Sequence, residues 1–348
     1  MVAFLPCALP LAFKADWSPL PPMPSPPRSG HASAACPGGA LLFGGYGEPP
    51  GGSTRDVVND LLQLNLQDKC WSTIAIASAG RSESAAPGPR LASALAKSGS
   101  SLILFGGWDP QTPGTGGVIL DDVWSLDLPS LSWSRLGSMP EGPTSRHVAV
   151  DVGGVLIVHT FRCSDAVLVW DVEKKQLRSQ PTTGPSPSSR GLHAAAAADD
   201  RTLVVCCGAA KDGGMMSDAY ALDIDTWVWT QMDCGDHGGG PSARAGACAA
   251  GAPRGERGIV LFGGAEAGEG GSLVPRGDVW ILSLGGEGKG TWTKLLEEGE
   301  GGKGEPSPRP RNAATLVKVG DGEYLMSGGW RPFVETYQDS YILQVTKT

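Results

Sequence analysis

Basic residues are scarce in this chain: 28 Lys and Arg stand against 36 Asp and Glu, a formal charge of -8, so a phosphate backbone or an anionic membrane surface would be repelled overall and nucleic acid is not expected as a partner. No apolar run reaches the roughly 18 residues of a membrane span, so no membrane partner is expected either. The eight cysteines (Cys7, Cys36, Cys70, Cys163, Cys206, Cys207, Cys234, Cys248) fall at irregular places with no Cys-x-x-Cys among them. Reduced, mostly buried thiols are the reading taken, with no metal and no cofactor. His-Glu-x-x-His, the Gly-x-Ser-x-Gly elbow and the Walker A loop are all missing, which removes two familiar hydrolase routes. One string, GEGGKG from Gly299 to Gly304, fits Gly-x-Gly-x-x-Gly, but it lies in an acidic loop with no helix predicted behind it and reads as a linker.

What the chain does have is turns. Its 51 glycines and 28 prolines in 348 residues follow no collagen period, and steady apolar runs between them argue against disorder, leaving short strands joined tightly. The start, MVAFLPCALPLAF, has the apolar length of a signal-peptide core but lacks a basic leader and carries Pro6 and Pro10. A cytoplasmic location is therefore expected, with secretion as the alternative, and residues 1–14 are set aside as an N-terminal extension.

A repeat runs through the rest. Six arginines, Arg28, Arg90, Arg146, Arg190, Arg244 and Arg311, each follow a Pro- or Ser-rich turn and open a run of small residues. A second apolar run comes next and usually ends in glycine (ALLFGG, LILFGG, IVLFGG, YLMSGG), except for VLIVHTF, where His159 and Thr160 are read in the place of the two glycines. A third segment has an aspartate at or near its second position: Asp60, Asp122, Asp165, Asp218, Asp278, Asp339. Eleven residues beyond the aspartate stand Trp71, Trp133 and Trp229; Trp292 is delayed by the insertion GGEGKG, and the third repeat has Gln176 there.

Each repeat thus reads as four short strands, a sheet that must stack on neighbours to cover its faces. The last repeat ends at Thr348 before its tryptophan is due, while Trp17 in ADWSPL has no repeat in front of it. The two ends are expected to complete one sheet between them, which leaves no open edge.

These residues resemble the Kelch family: the opening arginine, the di-glycine, the acidic residue before the third strand and the tryptophan in the fourth. The resemblance implies an all-β, six-bladed Kelch β-propeller whose last blade is closed by an N-terminal strand. The propeller is expected over 15–348, with 15–20 as the closing strand and blades at 28–77, 90–137, 146–180, 190–233, 244–296 and 311–348.

Two roles are open to the six arginines: surrounding one mouth of the central channel, or tying blades together through carboxylates and carbonyls. His31 and His193, each three residues after a repeat arginine, are candidates for facing the axis, with a buried structural role as the alternative. Kelch relatives commonly bind partners on the face carrying the loops between second and third strands. Here those loops are read as long at Tyr46 to Val58, Trp108 to Leu120 and Ala265 to Gly277, and as cut short in blade 3, where either a docking notch or a decayed repeat explains the change. Tyr46, Arg55, Trp108, Trp330, Arg331 and Phe333 join the six arginines and His193 as candidate partner-binding residues. The function expected is a non-enzymatic interaction module, adaptor or assembly subunit, monomeric in itself, that binds another protein or peptide. The alternative is a small-molecule enzyme at the channel mouth, similar to the sialic-acid mutarotases, with arginines holding an anionic sugar and His193 moving protons.

Overall fold

The computed structural model describes residues 13–24, 26–47, 56–75, 86–111, 116–235, 239–299 and 306–348. Among them the chain forms six four-stranded antiparallel sheets, three small accessory hairpin sheets and one 3-10 turn, Glu269–Gly271. Sheet 1 is Ala32–Cys36, Gly39–Phe43, Leu61–Asn65 and Cys70–Ile74; sheet 2 is Ala94–Ser98, Ser101–Asp109, Val118–Asp127 and Ser132–Ser138. Sheet 3 is Val148–Val152, Val155–His159, Ala166–Asp171 and Gln176–Pro181; sheet 4 is Ala194–Ala197, Thr202–Cys206, Ala219–Asp223 and Val228–Gln231. Sheet 5 is Cys248–Gly251, Gly258–Phe262, Val279–Leu284 and Gly290–Leu296; sheet 6 is Thr315–Gly320, Glu323–Ser327, Ser340–Lys347 and Phe13–Pro19. No described helix is long and apolar enough to cross a membrane.

The first strand of each sheet touches the first strand of the next, and that of sheet 6 touches that of sheet 1, so the sheets form a ring. Six strands converging on one axis leave little room. This is why those strands are built from small residues such as Ala32, Ala34, Ala94, Ala96, Ala194 and Ala196, while the second strands, as in Gly39–Phe43, Thr202–Cys206 and Gly258–Phe262, are buried throughout and strongly apolar.

The ring is sealed twice. First, Phe13–Pro19 pairs antiparallel with Ser340–Lys347, placing Trp17 opposite Leu343. The pairing begins at Phe13, inside the stretch set aside as an extension; 1–12 lie outside the described residues. Second, six backbone hydrogen bonds run round the channel in a closed cycle: Ala92 N–H to Gly30 O, Arg146 to Ala92, Leu192 to Arg146, Gly246 to Leu192, Ala313 to Gly246, and Gly30 to Ala313, at 2.7–3.0 Å. All six residues of this collar have left-handed backbone, with φ between 51° and 69°. Only Gly30 and Gly246 adopt that conformation without steric cost.

A second regularity sits between the third and fourth strands. Leucine faces tryptophan across the pair in five sheets: Leu64 and Trp71, Leu126 and Trp133, Leu222 and Trp229, Leu282 and Trp292, Leu343 and Trp17. These rings reach the preceding sheet: Trp133 lies 5.2 Å from Phe43 and Trp17 5.2 Å from Phe262, centroid to centroid.

Sheet 3 departs from the expected register in three places. The residue opposite its third-strand position is Leu177 rather than Gln176, and the partner is Trp170, so large and small have exchanged sides of one pair and the ring still packs on Phe105 of sheet 2. Volume is conserved across the pair, which a search for tryptophan in the fourth strand misses. The di-glycine place is taken by Thr160 and Phe161; His159 stands where Phe43, Phe105 and Phe262 stand, as shown by its pairing with Val148. Arg146 occupies the collar, two residues beyond the place of the other arginines. That place belongs to Thr144, whose N–H bonds to Leu120 O as the N–H of Arg90 does to Val58 O. The strings GPR before Leu91 and GPT before Ser145 carry the correct alignment.

Removing the Trp17 ring takes away contacts to two sheets at once, with Phe262 and with Tyr341 at 6.0 Å. Trp17→Ala is expected to lower unfolding free energy by about 3–5 kcal/mol, read as a lower urea midpoint at unchanged slope.

Candidate interaction face

Five of the six repeat arginines go into the interior rather than round the channel mouth. Arg28, Arg90, Arg190, Arg244 and Arg311 are at most 2% exposed. Each forms a two-pronged pair with the aspartate of its own repeat, Asp60, Asp122, Asp218, Asp278 and Asp339, at 2.5–3.1 Å. The same guanidinium also donates to the carbonyl of Gly44, Gly106, Cys207, Gly263 or Gly328 at 2.9–3.1 Å. The planar array of donors fits a carboxylate and a carbonyl together, which a lysine could not do. At Asp278, burial pushes the carboxyl up, but the hydrogen bonds and charge of Arg244, with the Trp280 indole, outweigh it and hold the group below the usual carboxylate range.

The glycines serve the same joint. A Cβ on Gly44 would lie 2.6 Å from Arg90 O, and one on Gly106 would lie 2.5 Å from Thr144 O, so the hairpin of one sheet rests directly on the turn of the next. The second glycine then donates to that carbonyl: Gly45 to Arg90, Gly107 to Thr144, Gly208 to Arg244, Gly264 to Arg311, Gly329 to Arg28. Phe161 makes no such bond among the described residues; instead the Ser189 hydroxyl donates to the Phe161 carbonyl at 2.7 Å.

The four described histidines are buried as well, and three of them sit at joints between sheets. His31 lies 3.0 Å from Thr315 Oγ1 and 3.1 Å from Ser327 Oγ across the seam between sheets 1 and 6. His159 Nδ1 and His193 Nε2 are 3.1 Å apart across the seam between sheets 3 and 4, where one ring carries the proton and the other accepts it. His159 also sits edge-on to Trp229, the place phenylalanine takes in other seams. Burial, aided by the Arg28 charge, lowers His31 to about 3; burial alone lowers His147 to about 4; burial with the Arg190 charge lowers His159 to about 3. His193 is held well below the ordinary value by burial first and by its charged neighbours second. His31, His147 and His193 line a cavity of about 230 Å³ under the collar, where Arg146 is the one arginine among the described residues.

The surface differs. The expected long loops are largely hairpins: Trp108 pairs with Ile119 inside extended strands of sheet 2, Ala265–Ala267 pairs with Leu273–Pro275, Trp330–Arg331 with Glu335–Thr336, and Tyr46 with Val57. Polar backbone carried that far from the core is satisfied by pairing with itself. Arg55 lies outside the described residues; Tyr46, Trp108 and Trp330 are half-buried, while Arg331 and Phe333 are exposed. Eight large apolar side chains are exposed among the described residues. Six of them, Ile119, Phe161, Leu192, Val274, Phe333 (80%) and Val334 (61%), lie on the hairpins and turns of this one face. The other two, Val172 and Val228, lie at turns between third and fourth strands. Ile119, Phe161, Leu192, Val274 and Val334 carried no motif and are visible only as apolar residues where turn chemistry predicts polar ones.

A family model described as the KLHDC2/KLHL20/DRC7 Kelch-repeats domain matches residues 14–159 and 149–348. The chain belongs to the Kelch-repeat family. Its curated relatives include Adagio-like protein 1 of Oryza sativa subsp. japonica, 29% identical over 72% of this chain and 40% of that protein. Adagio protein 3 of Arabidopsis thaliana is 27% identical over 70% and 39%, and Acyl-CoA-binding domain-containing protein 4 of the same plant 27% over 61% and 32%. This chain thus spans about two fifths or less of the curated relatives named here. Among solved structures, that titled "Structure of YjhT" superposes with a TM-score of 0.67 at 17% identity, covering 94% of this chain and 99% of that one, and shows the fold.

Breaking one Kelch ion pair strands its partner. Asp278→Ala, leaving Arg244 buried and uncompensated, is expected to cost about 3–5 kcal/mol in chemical denaturation. Asp165→Ala, at the exposed aspartate of sheet 3 whose arginine is replaced by Thr144, is expected to change stability by less than about 0.5 kcal/mol. The histidines set a pH dependence. Their folded values lie below the unfolded 6.5, so the unfolded chain binds more protons as pH falls from about 6.5 toward the folded values of about 3–4, and stability present above pH 6.5 is lost through that window. Each buried ring contributes a slope of up to about 1.4 kcal/mol per pH unit. His159→Phe, which restores the residue found at three other seams, is expected to flatten the decline in a series of melts between pH 6.5 and 4.5.

Proposed function

We propose that this Kelch ring is a protein-interaction module, an adaptor or assembly subunit without an active site of its own, and that its hairpin face binds another protein or peptide. One observation carries the reading: five of the six repeat arginines are buried on the aspartates of their own repeats and the described histidines are buried, whereas six of the eight exposed large apolar side chains among the described residues gather on one face. Apolar side chains grouped on a rigid surface are what a partner desolvates. The length of the relatives supports it, since the matched region makes up about two fifths or less of proteins with quite different names. Seven described cysteines, all unpaired, fit a reducing, cytoplasmic setting for a chain that is monomeric on its own.

The anionic-sugar reading draws less support. It asks for several guanidiniums at the mouth, and among the repeat arginines only Arg146 lines that cavity, while His193 is buried against His159. Displayed random peptides selected on the wild-type protein test the proposal. Binders are expected to weaken at least tenfold on Phe333→Ser/Val334→Ser or on Ile119→Ser/Phe161→Ser, two double variants of the hairpin face whose melting temperatures should match wild type, and to be unaffected by Val172→Ser. Equal binding to wild type and all three variants, or stabilisation by an anionic sugar that Arg146→Gly abolishes, would overturn it.

A further inference from the structure

The departures of sheet 3 from the repeat all point to one strip of the hairpin face. With Thr144 in the arginine place, the arginine of this repeat moves two residues on into the collar, at φ 59°, and its side chain comes to the surface. Its guanidinium carbon lies 5.7 Å from the centre of the Trp108 ring of sheet 2, whose strand partner is the exposed Ile119. Next along the collar is Leu192, bonded to the Arg146 carbonyl and 38% exposed.

The shortened hairpin lies alongside. Arg162 donates to Pro143 O at 2.9 Å, in the turn just before Arg146, and its guanidinium covers the Phe161 ring at 4.4 Å. Phe161 is held in turn by Ser189, in the turn just before Leu192. Ile119, Trp108, Arg146, Leu192, Arg162 and Phe161 therefore form one continuous strip over sheets 2 to 4. Neither Arg146 nor Arg162 has a carboxylate partner among the described residues, in a protein where five repeat arginines do and where acidic residues outnumber basic ones.

We propose that this strip is the binding site for an acidic peptide segment of a partner protein, whose carboxylates pair with Arg146 and Arg162 while an adjoining apolar side chain covers Leu192, Phe161 or Ile119. The proposal rests on the interaction reading above and names the chemistry of its partner. Two guanidiniums already lying over aromatic faces lose little freedom on pairing, and neither has to leave an internal carboxylate first. The connection between the second and third strands of sheet 3 is only six residues, 160–165, against twelve, 207–218, in sheet 4 and the extended strands Ser101–Asp109 and Val118–Asp127 of sheet 2, which leaves the segment a path between them.

The substitution that tests it is supplied by the ring itself. Gly30 and Gly246 hold the collar position in sheets 1 and 5, so Arg146→Gly removes the guanidinium while relieving the left-handed backbone, and its melting temperature is expected to equal or exceed that of wild type. The probe is the same displayed random peptide library, selected in parallel on wild type and on Arg146→Gly/Arg162→Gln, with the winning peptides measured by fluorescence anisotropy at two salt concentrations. Wild type is expected to enrich Asp or Glu next to Leu, Phe or Ile. Affinity is expected to fall about tenfold for each arginine removed, to weaken with salt, and to be kept in part by Arg146→Lys. Binders without acidic enrichment, or acidic binders indifferent to both substitutions, would overturn this site while leaving the interaction module standing. Binding that needs a phosphate on the peptide would overturn the carboxylate chemistry. A library that yields no binder sensitive to any change on the hairpin face would remove the module reading and this one with it.

Discussion

The hydrogen-bonded collar is the constraint from which the rest of the ring follows. A closed cycle of six N–H to carbonyl bonds works only if every sheet supplies one residue at the same depth with the same left-handed backbone, including four that are not glycine: Ala92, Arg146, Leu192 and Ala313. Such a conformation costs an ordinary residue on the order of 1 kcal/mol or more. It persists because each residue is fixed on both sides, by the bond it donates and the bond it accepts. Two residues before the collar, the chain must pass beneath the neighbouring hairpin, and there the buried arginine or, once, Thr144 is found.

This order explains why the arginine and the di-glycine act as one device. The arginine side chain points back into its own sheet, to its aspartate and to the carbonyl at the hairpin, while its backbone carbonyl points outward to receive the preceding sheet's second glycine. One residue thus joins two sheets with two different parts of itself. The carboxylate keeps the guanidinium from being stranded in a dry interior, where it would destabilise rather than tie.

Much of this was legible in the sequence because the repeat is written in residues whose roles are local. The strands, the closing role of Trp17 and the arginine to aspartate spacing all follow from period and composition. Sheet 3 is misplaced in the sequence for a physical reason: Arg146 looks like the marker of the repeat, but in that sheet the marker position no longer holds an ion pair, and an arginine two residues away imitates it. The exchange of Trp170 and Leu177 was hidden because packing constrains the summed volume of a facing pair and not which strand carries the ring. The His159 and His193 contact joins residues from different sheets, and no spacing within one repeat encodes it.

Sheet 3 also shows how a closed ring tolerates change. Loss of the arginine frees Asp165 to the surface, loss of the di-glycine removes one bond between sheets, and a histidine pair stands where phenylalanine packs elsewhere. None of these opens the ring, because its collar and its terminal strand pairing do not pass through the altered positions' side chains. A side chain at a collar position is free in a way the buried arginines are not, since only its backbone is committed. At the collar positions that already bear a side chain, Ala92, Leu192 and Ala313 could therefore vary with Arg146 at a similar backbone cost, and the chemistry of the channel mouth is set by residues whose side chains the ring itself does not use.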